Sequence, residues 1–174
     1  MRIRALDKSW AVRISEVDRS EDISLIYRYR DGRLMPEHVK VSFGRWEGKW
    51  LDSRIERIKE ELDCGGIFLG IIEEEKLTGF ALIGGRLIGS RKYTIQLVLL
   101  HVSREYRGKG MGAKLFHEVC ARAKKKGACR LFISSAPTES AVGFYARQGA
   151  KPVGRNEKGL AVEEKDDIPL VFEL

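Results

Sequence analysis

The chain has 174 residues, of which 43% are hydrophobic and 33% are charged. This length allows one domain with a proper core and is too short for two, so we expect a single domain over residues 1–174. The net charge of +7 favours anionic partners, such as phosphorylated cofactors, nucleic acids or acidic surfaces.

The sequence indicates neither a membrane span nor a metal site. No apolar run approaches the roughly 20 residues of a transmembrane helix, and the N-terminal stretch MRIRALDKSW lacks the apolar segment of a signal peptide. The three cysteines, Cys64, Cys120 and Cys129, do not have metal-binding spacing. We therefore expect a cytoplasmic protein without membrane contact, with reduced thiols and no metal.

The N-terminal part of the chain gives three expectations. Alternating apolar and polar side chains over residues 10–15 predict a first strand. Asp18 followed by Glu21 resembles a capping box and predicts a helix that reaches Tyr29. Residues 31–48 contain several glycines among aromatic and charged residues, which predicts an ordered but irregular connection.

The middle of the chain has clearer periodicity. Apolar residues spaced four, three and four apart predict a helix over residues 51–62. Residues 67–72 and 77–88 are rich in β-forming side chains, and a short polar turn joins them. These two runs predict a β-hairpin.

The most informative stretch is residues 94–112, an apolar strand that runs into a glycine-rich, cationic turn. Gly108, Gly110 and Gly112 alternate with larger residues, so several N–H groups can point inward with no Cβ in the way of a ligand. The helix that follows adds its dipole and its unpaired N–H groups, and Arg107 and Lys109 add full charges. The stretch predicts a pyrophosphate-binding turn, and a plain strand-to-helix connection is the alternative.

Two better-known phosphate-binding loops do not fit this turn. A P-loop has Gly-Lys followed by Ser or Thr, whereas here Lys109 precedes Gly110 and no hydroxyl residue follows. Gly108, Gly110 and Ala113 match the dinucleotide pattern G-x-G-x-x-A, but the next strand ends in two serines rather than in the acidic residue of that motif. An NAD-type reductase is therefore a remote alternative.

The C-terminal part predicts a strand, a helix and two more strands. Residues 128–134 are apolar enough to be buried on both faces and follow a helix, so this strand should run parallel to the central one. Thr138 can cap a helix that ends at Gly149. Residues 151–154 and 168–174 supply the last strands.

The predicted element order is β-α-α-β-β-β-α-β-α-β-β. This order gives an α/β (α+β) fold with a single mixed sheet, helices on both faces and one parallel pair in the middle. A cofactor would bind where the parallel strands part, beside a helix N-terminus.

Two separated segments resemble signatures of the GCN5-related N-acetyltransferase (GNAT) family. Residues 107–112, RGKGMG, resemble its acetyl-CoA signature R/Q-x-x-G-x-G/A, and residues 141–149, AVGFYARQG, resemble its segment A-x-x-(F/L)-Y-x-x-x-G. The element order also agrees from about residue 67 onward. The resemblance implies the GNAT-like acyl-CoA N-acyltransferase fold, and an enzyme that transfers the acetyl group of acetyl-CoA directly to a primary amine.

The resemblance also implies where acetyl-CoA binds. Backbone groups of the central strand at Leu100, His101 and Val102 would hold the pantetheine arm and the acetyl group. The phosphates would lie on the turn formed by Arg107, Gly108, Lys109, Gly110, Met111 and Gly112. Thr138 and Tyr145 complete the implied cofactor site, although Thr138 departs from the Asn that many members carry at its position.

The implied chemistry leaves the base open. Tyr145 matches the family's general acid, which protonates the departing thiolate, and a strand N–H near His101 would stabilise the oxyanion. Some members use a strand Glu as base, but the aligned residue here is Gln96. A water chain or His101 could serve, yet strand alternation places His101 opposite Gln96 unless a bulge intervenes.

The acceptor is the least defined partner. It would bind along residues 33–50 and their surroundings, where aromatic side chains offer apolar surface and acidic ones offer charge for an amine, namely Phe43, Trp46, Trp50, Glu47 and Asp52. The alternative is that these aromatic rings are core residues. It could be a small molecule or a protein, and the resemblance implies a possible homodimer. Nucleic acid is not expected, because the basic residues are not interleaved with aromatic ones. The alternative function is a catalytically silent acyl-CoA-binding or nucleic-acid-associated protein of the same fold.

Overall fold

The computed structural model describes residues 2–30, 32–154 and 159–174. Its strands are β1 (Arg2–Leu6), β2 (Glu21–Arg30), β3 (Arg33–Phe43), β4 (Ile67–Glu73), β5 (Lys76–Ile88), β6 (Thr94–Val102), β7 (Arg130–Ser135), β8 (Lys151–Pro152) and β9 (Ile168–Glu173). Its α-helices are α1 (Gly48–Asp63), α2 (Met111–Lys125) and α3 (Glu139–Gln148), and 3-10 helices cover Lys8–Glu16 and Arg104–Tyr106. None of the described helices is long and apolar enough to cross a lipid bilayer.

Seven strands form one mixed sheet in the order β1-β4-β5-β6-β7-β9-β8. Among its described pairs only β6 and β7 are parallel, because the chain crosses from one to the other through α2. The predicted mixed sheet with a central parallel pair is therefore confirmed. β2 and β3 form a separate antiparallel hairpin, so the prediction of a single sheet is wrong for this part of the chain.

Helices cover both faces of the large sheet, as predicted. α2 and α3 bury one face with apolar side chains that include Leu115, Phe116 and Val142. α1 and the N-terminal 3-10 helix bury the other face through Ile58 and Ile14, which are fully buried. We refer to these sides of the sheet as the α2 face and the α1 face.

The strand predicted over residues 10–15 is wrong, because these residues lie in the 3-10 helix Lys8–Glu16. Asp7 caps this helix by accepting a hydrogen bond from the Ser9 N–H. Three completely buried residues, Ala11, Ile14 and Val17, are spaced three apart. This spacing puts them on one side of a helix with three residues per turn, which explains the pattern that resembled alternation.

The helix predicted to reach Tyr29 and the irregular connection over residues 31–48 are also wrong. β2 and β3 instead pair as a hairpin through most of this region, in agreement with its β-branched and aromatic content. The Asp18 carboxylate accepts a hydrogen bond from the Ser20 N–H at 2.9 Å, as in an Asx-turn, and also pairs with Arg45. Such local bonding competes with helix capping and uses the same residue types.

The elements from residue 48 onward follow the predictions closely. α1 contains the helix predicted over residues 51–62, and β4 and β5 form the predicted hairpin. Thr138 caps α3 by accepting a hydrogen bond from the Ala141 N–H, and α3 ends at Gly149, which has a φ of +100°. β8 has only two residues and is shorter than predicted.

β6 contains a bulge at Val98. Leu97 pairs with Ile83 and Leu99 pairs with the adjacent β5 residue, Leu82, so Val98 is an extra residue in β6. Val98 and Leu99 consequently both pack on the α1 face, whereas Leu97 packs on the α2 face. The bulge resets the alternation of side chains for the rest of the strand.

Packing of α1 on the sheet can be tested at Ile58, which is fully buried. Ile58→Ala removes buried methyl groups and leaves a cavity, so we expect it to lower the free energy of unfolding by about 2–5 kcal/mol. Urea denaturation followed by circular dichroism measures this change. Val12→Ala, at a residue that is 55% exposed, is the control and should change stability by less than about 0.5 kcal/mol. Equally small effects at both positions would contradict the described packing of α1.

Candidate functional site

β6 and β7 stop pairing toward their C-terminal ends, and we refer to the opening between them as the cleft. Their pairing runs from Thr94 opposite Arg130 to Leu97 opposite Ile133 and then stops. β6 continues to Val102 and, among the described strands, pairs there only with β5. One backbone edge of β6 therefore faces the cleft with N–H and C=O groups that an extended ligand could pair with, as an added strand does.

A glycine turn lies between the end of β6 and the start of α2, where the sequence predicts the phosphate-binding part of the site. Gly108 and Gly110 have φ values of +73° and +77°, and a Cβ at either position would meet nothing within 4 Å. The first backbone hydrogen bond of α2 is donated by Lys114 to the Gly110 carbonyl. The N–H groups of residues 108–113 therefore have no partner in the described backbone. With the dipole of α2 behind them, they can bind an anion.

The Arg107 side chain is not directed at this anion site. Its guanidinium donates hydrogen bonds to the carbonyls of Val102, Ser20 and Asp18, at 3.0, 3.2 and 3.2 Å. It therefore joins the end of β6 to the segment before β2. The Lys109 ammonium lies 5.6 Å from the centre of the Tyr106 ring. An anion on the turn would thus be held mainly by backbone N–H groups.

Met111 and Gly112 belong to the packing of α2 as well as to the turn. Met111 is 5% exposed and lies in the core of the α2 face. A Cβ on Gly112 would come within 3.1 Å of the Phe144 ring, so α2 and α3 approach closely there. The signature glycine at position 112 therefore also has a steric role.

Tyr145 and Thr138 lie on α3 and at its start. Tyr145 is 8% exposed and packs against Phe116 and Phe144, with ring centres 6.1 and 5.1 Å away. Burial raises the pKa of its phenol, so the hydroxyl keeps its proton at neutral pH. The Thr138 hydroxyl is engaged in capping α3 and lies 3.1 Å from the Ser140 hydroxyl.

His101 is enclosed by aromatic rings on the α1 face. Its imidazole lies 4.9 Å from the Trp46 ring and 5.3 Å from the Phe80 ring, centre to centre. Burial, assisted by the charges of nearby arginines, chiefly Arg19, lowers the pKa of His101 to about 3. The imidazole is therefore neutral at physiological pH, and its environment disfavours uptake of a proton.

The bulge brings Gln96 and His101 to the same face of β6. His101 contacts Trp46 and Phe80 on the α1 face, and the Gln96 amide bonds to Glu163 beside α1. Simple alternation would have separated the two side chains. Their proximity was expected only if a bulge intervened in β6, and the bulge is present.

The aromatic residues expected near the acceptor are divided between core and surface. Trp46 is 5% exposed, and its indole N–H has no hydrogen-bond partner among the described residues. Phe43 and Trp50 are exposed. The Arg19 guanidinium stacks over both Trp46 and Phe43, and Arg54 stacks over Trp50. This surface is aromatic and cationic.

Glu163, which contacts Gln96, is a site residue that was not predicted from the sequence. The Gln96 amide donates to its carboxylate at 2.9 Å, and guanidinium nitrogens of Arg54 and Arg57 lie 3.7 Å from its oxygens. Burial raises the pKa of Glu163, and Arg57 and Arg54 oppose this shift. The only sequence signal was a pair of acids in a polar loop, which resembles an ordinary solvated segment. Among the described residues no cluster of His, Cys, Asp or Glu is arranged to hold a metal ion.

Comparisons with known proteins place the fold. A search by sequence among curated proteins finds no match. Nourseothricin acetyltransferase is similar in structure, with a TM-score of 0.69 and 18% identity over 98% of this chain and 95% of that one. The PaiA N-acetyltransferase from Thermoplasma acidophilum, solved in complex with coenzyme A, has a TM-score of 0.63 and 16% identity over 99% and 98% of the two chains. Aminoglycoside 6'-acetyltransferase type Ii has a TM-score of 0.64 and 16% identity over 99% and 97%.

Such low identities show a shared fold only, so the family rests on the sequence comparison. The family model described as "Acetyltransferase (GNAT) family" matches residues 33–150, which is more than half of the chain. This range includes the cleft strands, the glycine turn and Tyr145. The resemblance seen in the two motifs is thus confirmed, and the chain belongs to the GNAT family of acetyltransferases.

Proposed function

We propose that this protein is an N-acetyltransferase that moves the acetyl group of acetyl-CoA directly to a primary amine. The observation that carries the proposal is the cleft between β6 and β7, which has an open strand edge and ends at a turn with unpaired N–H groups. A ligand that is extended at one end and phosphorylated at the other suits this arrangement. Acetyl-CoA has that form, and family membership supports the same choice.

In this proposal the chain's backbone holds most of the cosubstrate. The β6 groups at Leu100, His101 and Val102 would pair with the pantetheine arm. The pyrophosphate would rest on residues 107–112, with Arg107 contributing only its distant charge because its side chain is engaged elsewhere. Thr138 would lie at the edge of the cofactor site, with its hydroxyl shared between the helix cap and the ligand.

The bound thioester supplies an activated acyl group, and the chain's residues would manage the protons. The amine attacks the carbonyl carbon, a strand N–H near His101 stabilises the oxyanion, and the carbon–sulfur bond then breaks. Tyr145 would donate its hydroxyl proton to the departing thiolate, and the surplus proton on nitrogen would restore the phenol. A phenol that stays protonated at neutral pH suits this role.

The proton of the incoming ammonium needs an acceptor, because an alkylammonium has a pKa near 10.4. Gln96 cannot accept it. His101 has a lowered pKa of about 3, so within this proposal it is better suited to orient an amine or a water by hydrogen bonding than to hold the proton. A water chain is the remaining route that the strand itself offers.

The absence of a base at Gln96 favours the second candidate, an acyl-CoA-binding or nucleic-acid-associated protein without catalysis. A panel of small amines and peptides, assayed for thiol release with acetyl-CoA, separates the two functions. Acetylated product would support the enzyme. Binding of coenzyme A with no product from any acceptor would support the silent protein.

Cytoplasmic location and a homodimer belong to the same proposal and are tested separately, by fractionation and light scattering.

Gly110→Ala tests the turn. An alanine at a φ of +77° is strained by about 1–2 kcal/mol, and relief of that strain would turn N–H groups away from the phosphates. We expect coenzyme A to bind roughly tenfold more weakly in calorimetry, which corresponds to the loss of about 1.4 kcal/mol of binding free energy. Gly44→Ala is the matched control, since a Cβ there also meets nothing and the φ is not positive. Unchanged affinity in Gly110→Ala would place the phosphates elsewhere.

Tyr145→Phe tests the proposed role of Tyr145 as the general acid. The variant keeps the ring that packs on Phe116 and Phe144 but loses the donated proton, so kcat should fall by about 100-fold or more. The affinity for acetyl-CoA should stay within twofold. Steady-state kinetics and calorimetry measure the two quantities. Tyr93→Phe, on a partly buried tyrosine just before β6, is the control. Full activity of Tyr145→Phe would remove Tyr145 from the mechanism.

A further inference from the structure

Glu163 lies at the closed end of the cleft, where β6 and β7 begin to part. Gln96 is one residue before the last paired position of β6, and Ser134 is the first β7 residue after the last pair. The Glu163 carboxylate accepts a hydrogen bond from Gln96 at 2.9 Å, and its N–H donates to the Ser134 hydroxyl at 2.8 Å. Glu163 thus joins both strands at the point where they separate.

The carboxylate also lies on the side of the sheet opposite the proposed acid. Gln96, which holds Glu163, points to the α1 face with His101, whereas Tyr145 packs in the core of the α2 face. A thioester lying in the cleft would have Glu163 on one side and Tyr145 on the other. An amine that enters on the α1 face would therefore approach the thioester from the side on which Glu163 lies.

Glu163 keeps room for a ligand. Its side chain is only 23% exposed, yet the Gln96 amide is the one hydrogen-bond donor to its carboxylate among the described residues. Arg57 pairs with Glu61 at 2.9 Å, and Arg57 and Arg54 each stay 3.7 Å from a Glu163 oxygen, beyond hydrogen-bond distance. A partly desolvated carboxylate with unused lone pairs readily accepts bonds from an ammonium.

An open surface groove of about 540 Å³ lies beside this carboxylate. Its charged lining consists of four glutamates and two arginines, namely Glu56, Glu60, Glu163, Glu164, Arg54 and Arg57. The excess of carboxylates favours a cationic ligand over an anionic one. The volume is in the range of small-molecule sites.

The segment that carries Glu163 is anchored from several directions. The Ser134 hydroxyl donates to Asp167 at 2.6 Å, and Arg28 on β2 pairs with Asp166 at 3.0 Å. These contacts hold the segment on β7 and on the hairpin. A catalytic group is effective when its surroundings fix its position in this way.

We propose that Glu163 binds the ammonium group of the acceptor and accepts its proton, the role that Gln96 cannot fill. This inference rests on the proposed acetyl transfer. The ammonium would lose one proton to the carboxylate, which becomes a carboxylic acid, and the free amine would attack the thioester carbon. Glu163 then returns the proton to water, so the net reaction releases one proton per acetyl group transferred.

The charges around Glu163 suit this cycle. Arg54 and Arg57 face it from α1, where Glu61 pairs with Arg57. Gln96 is its neighbour from β6, and Asp167 and Glu164 belong to its own segment. Burial raises the pKa of the carboxyl above its ordinary 4.5. The base is therefore active above that raised pKa, and activity should decline as pH falls through it.

Glu163→Gln tests the proposal, and Glu173→Gln, on an exposed glutamate of β9 that does not line the groove, is the matched control. We expect Glu163→Gln to lower kcat/KM at least about 100-fold and to leave the affinity for acetyl-CoA within twofold of the wild type. When kcat/KM is measured between about pH 5 and pH 10, the decline at acidic pH should disappear in this variant. The double variant Gln96→Glu, Glu163→Gln exchanges the two side chains and so restores a carboxylate at the same place. Its kcat/KM should be at least tenfold higher than that of Glu163→Gln alone. Wild-type kinetics and pH profile in Glu163→Gln would overturn the inference while leaving the enzyme intact.

A binding experiment that needs no turnover separates this inference from the proposed function. In calorimetry with coenzyme A present, 1,4-diaminobutane should bind the wild type more tightly than 4-aminobutanoate, which has a carboxylate in place of the second amine. Glu163→Gln should lose at least tenfold in diamine affinity. Diamine binding that depends on Glu163, together with no acetylated product from any amine of the panel, would refute the enzyme and keep the amine site. Diamine affinity equal in both proteins would refute the amine site.

Discussion

One extra residue in β6 is the constraint on which the site depends. Because Val98 has no partner of its own on β5, β6 bends at that point, and it stops pairing with β7 in the same region. The separation leaves backbone groups without a strand partner inside an otherwise continuous sheet. A sheet interior rarely leaves such groups unpaired, so the opening suits a ligand whose own polar groups replace the missing strand.

The same bulge decides which side chains can cooperate. It turns Leu99 and His101 toward α1, the side that Gln96 and Val98 already face, whereas Tyr145 lies on the other side with α3. The proposed proton acceptor and proton donor thereby stand on opposite faces of the cleft. Binding of the phosphates is separate from this arrangement, since it uses backbone N–H groups at the start of α2. The Arg107 guanidinium, which the motif suggested as a phosphate partner, instead joins two segments of the chain through carbonyl oxygens.

The sequence predicted the part of the fold that local patterns determine. The helices α1, α2 and α3, the β4–β5 hairpin and the parallel pair all follow from periodicity, capping residues and the crossover rule. The predictions for the N-terminal region were wrong for two reasons. Three-residue spacing in a 3-10 helix resembles the alternation of a strand, and Asp18 forms a local turn through the same kind of hydrogen bond that a helix cap makes. The bulge depends on how β6 pairs with β5, which the residues of one strand do not reveal. Glu163 lies 67 residues from Gln96, and β9 and its preceding segment bring the two together.

The contact between Gly112 and Phe144 has a consequence for how related chains can diverge. A methyl group at position 112 would press on the ring at 3.1 Å, a separation that the neighbour must relieve by a few tenths of an ångström. The acetyl-CoA signature admits either glycine or alanine at its last position, and here the aromatic residue on α3 selects glycine. Homologues with alanine at that position should therefore have a smaller side chain opposite it, so the two sites are expected to covary.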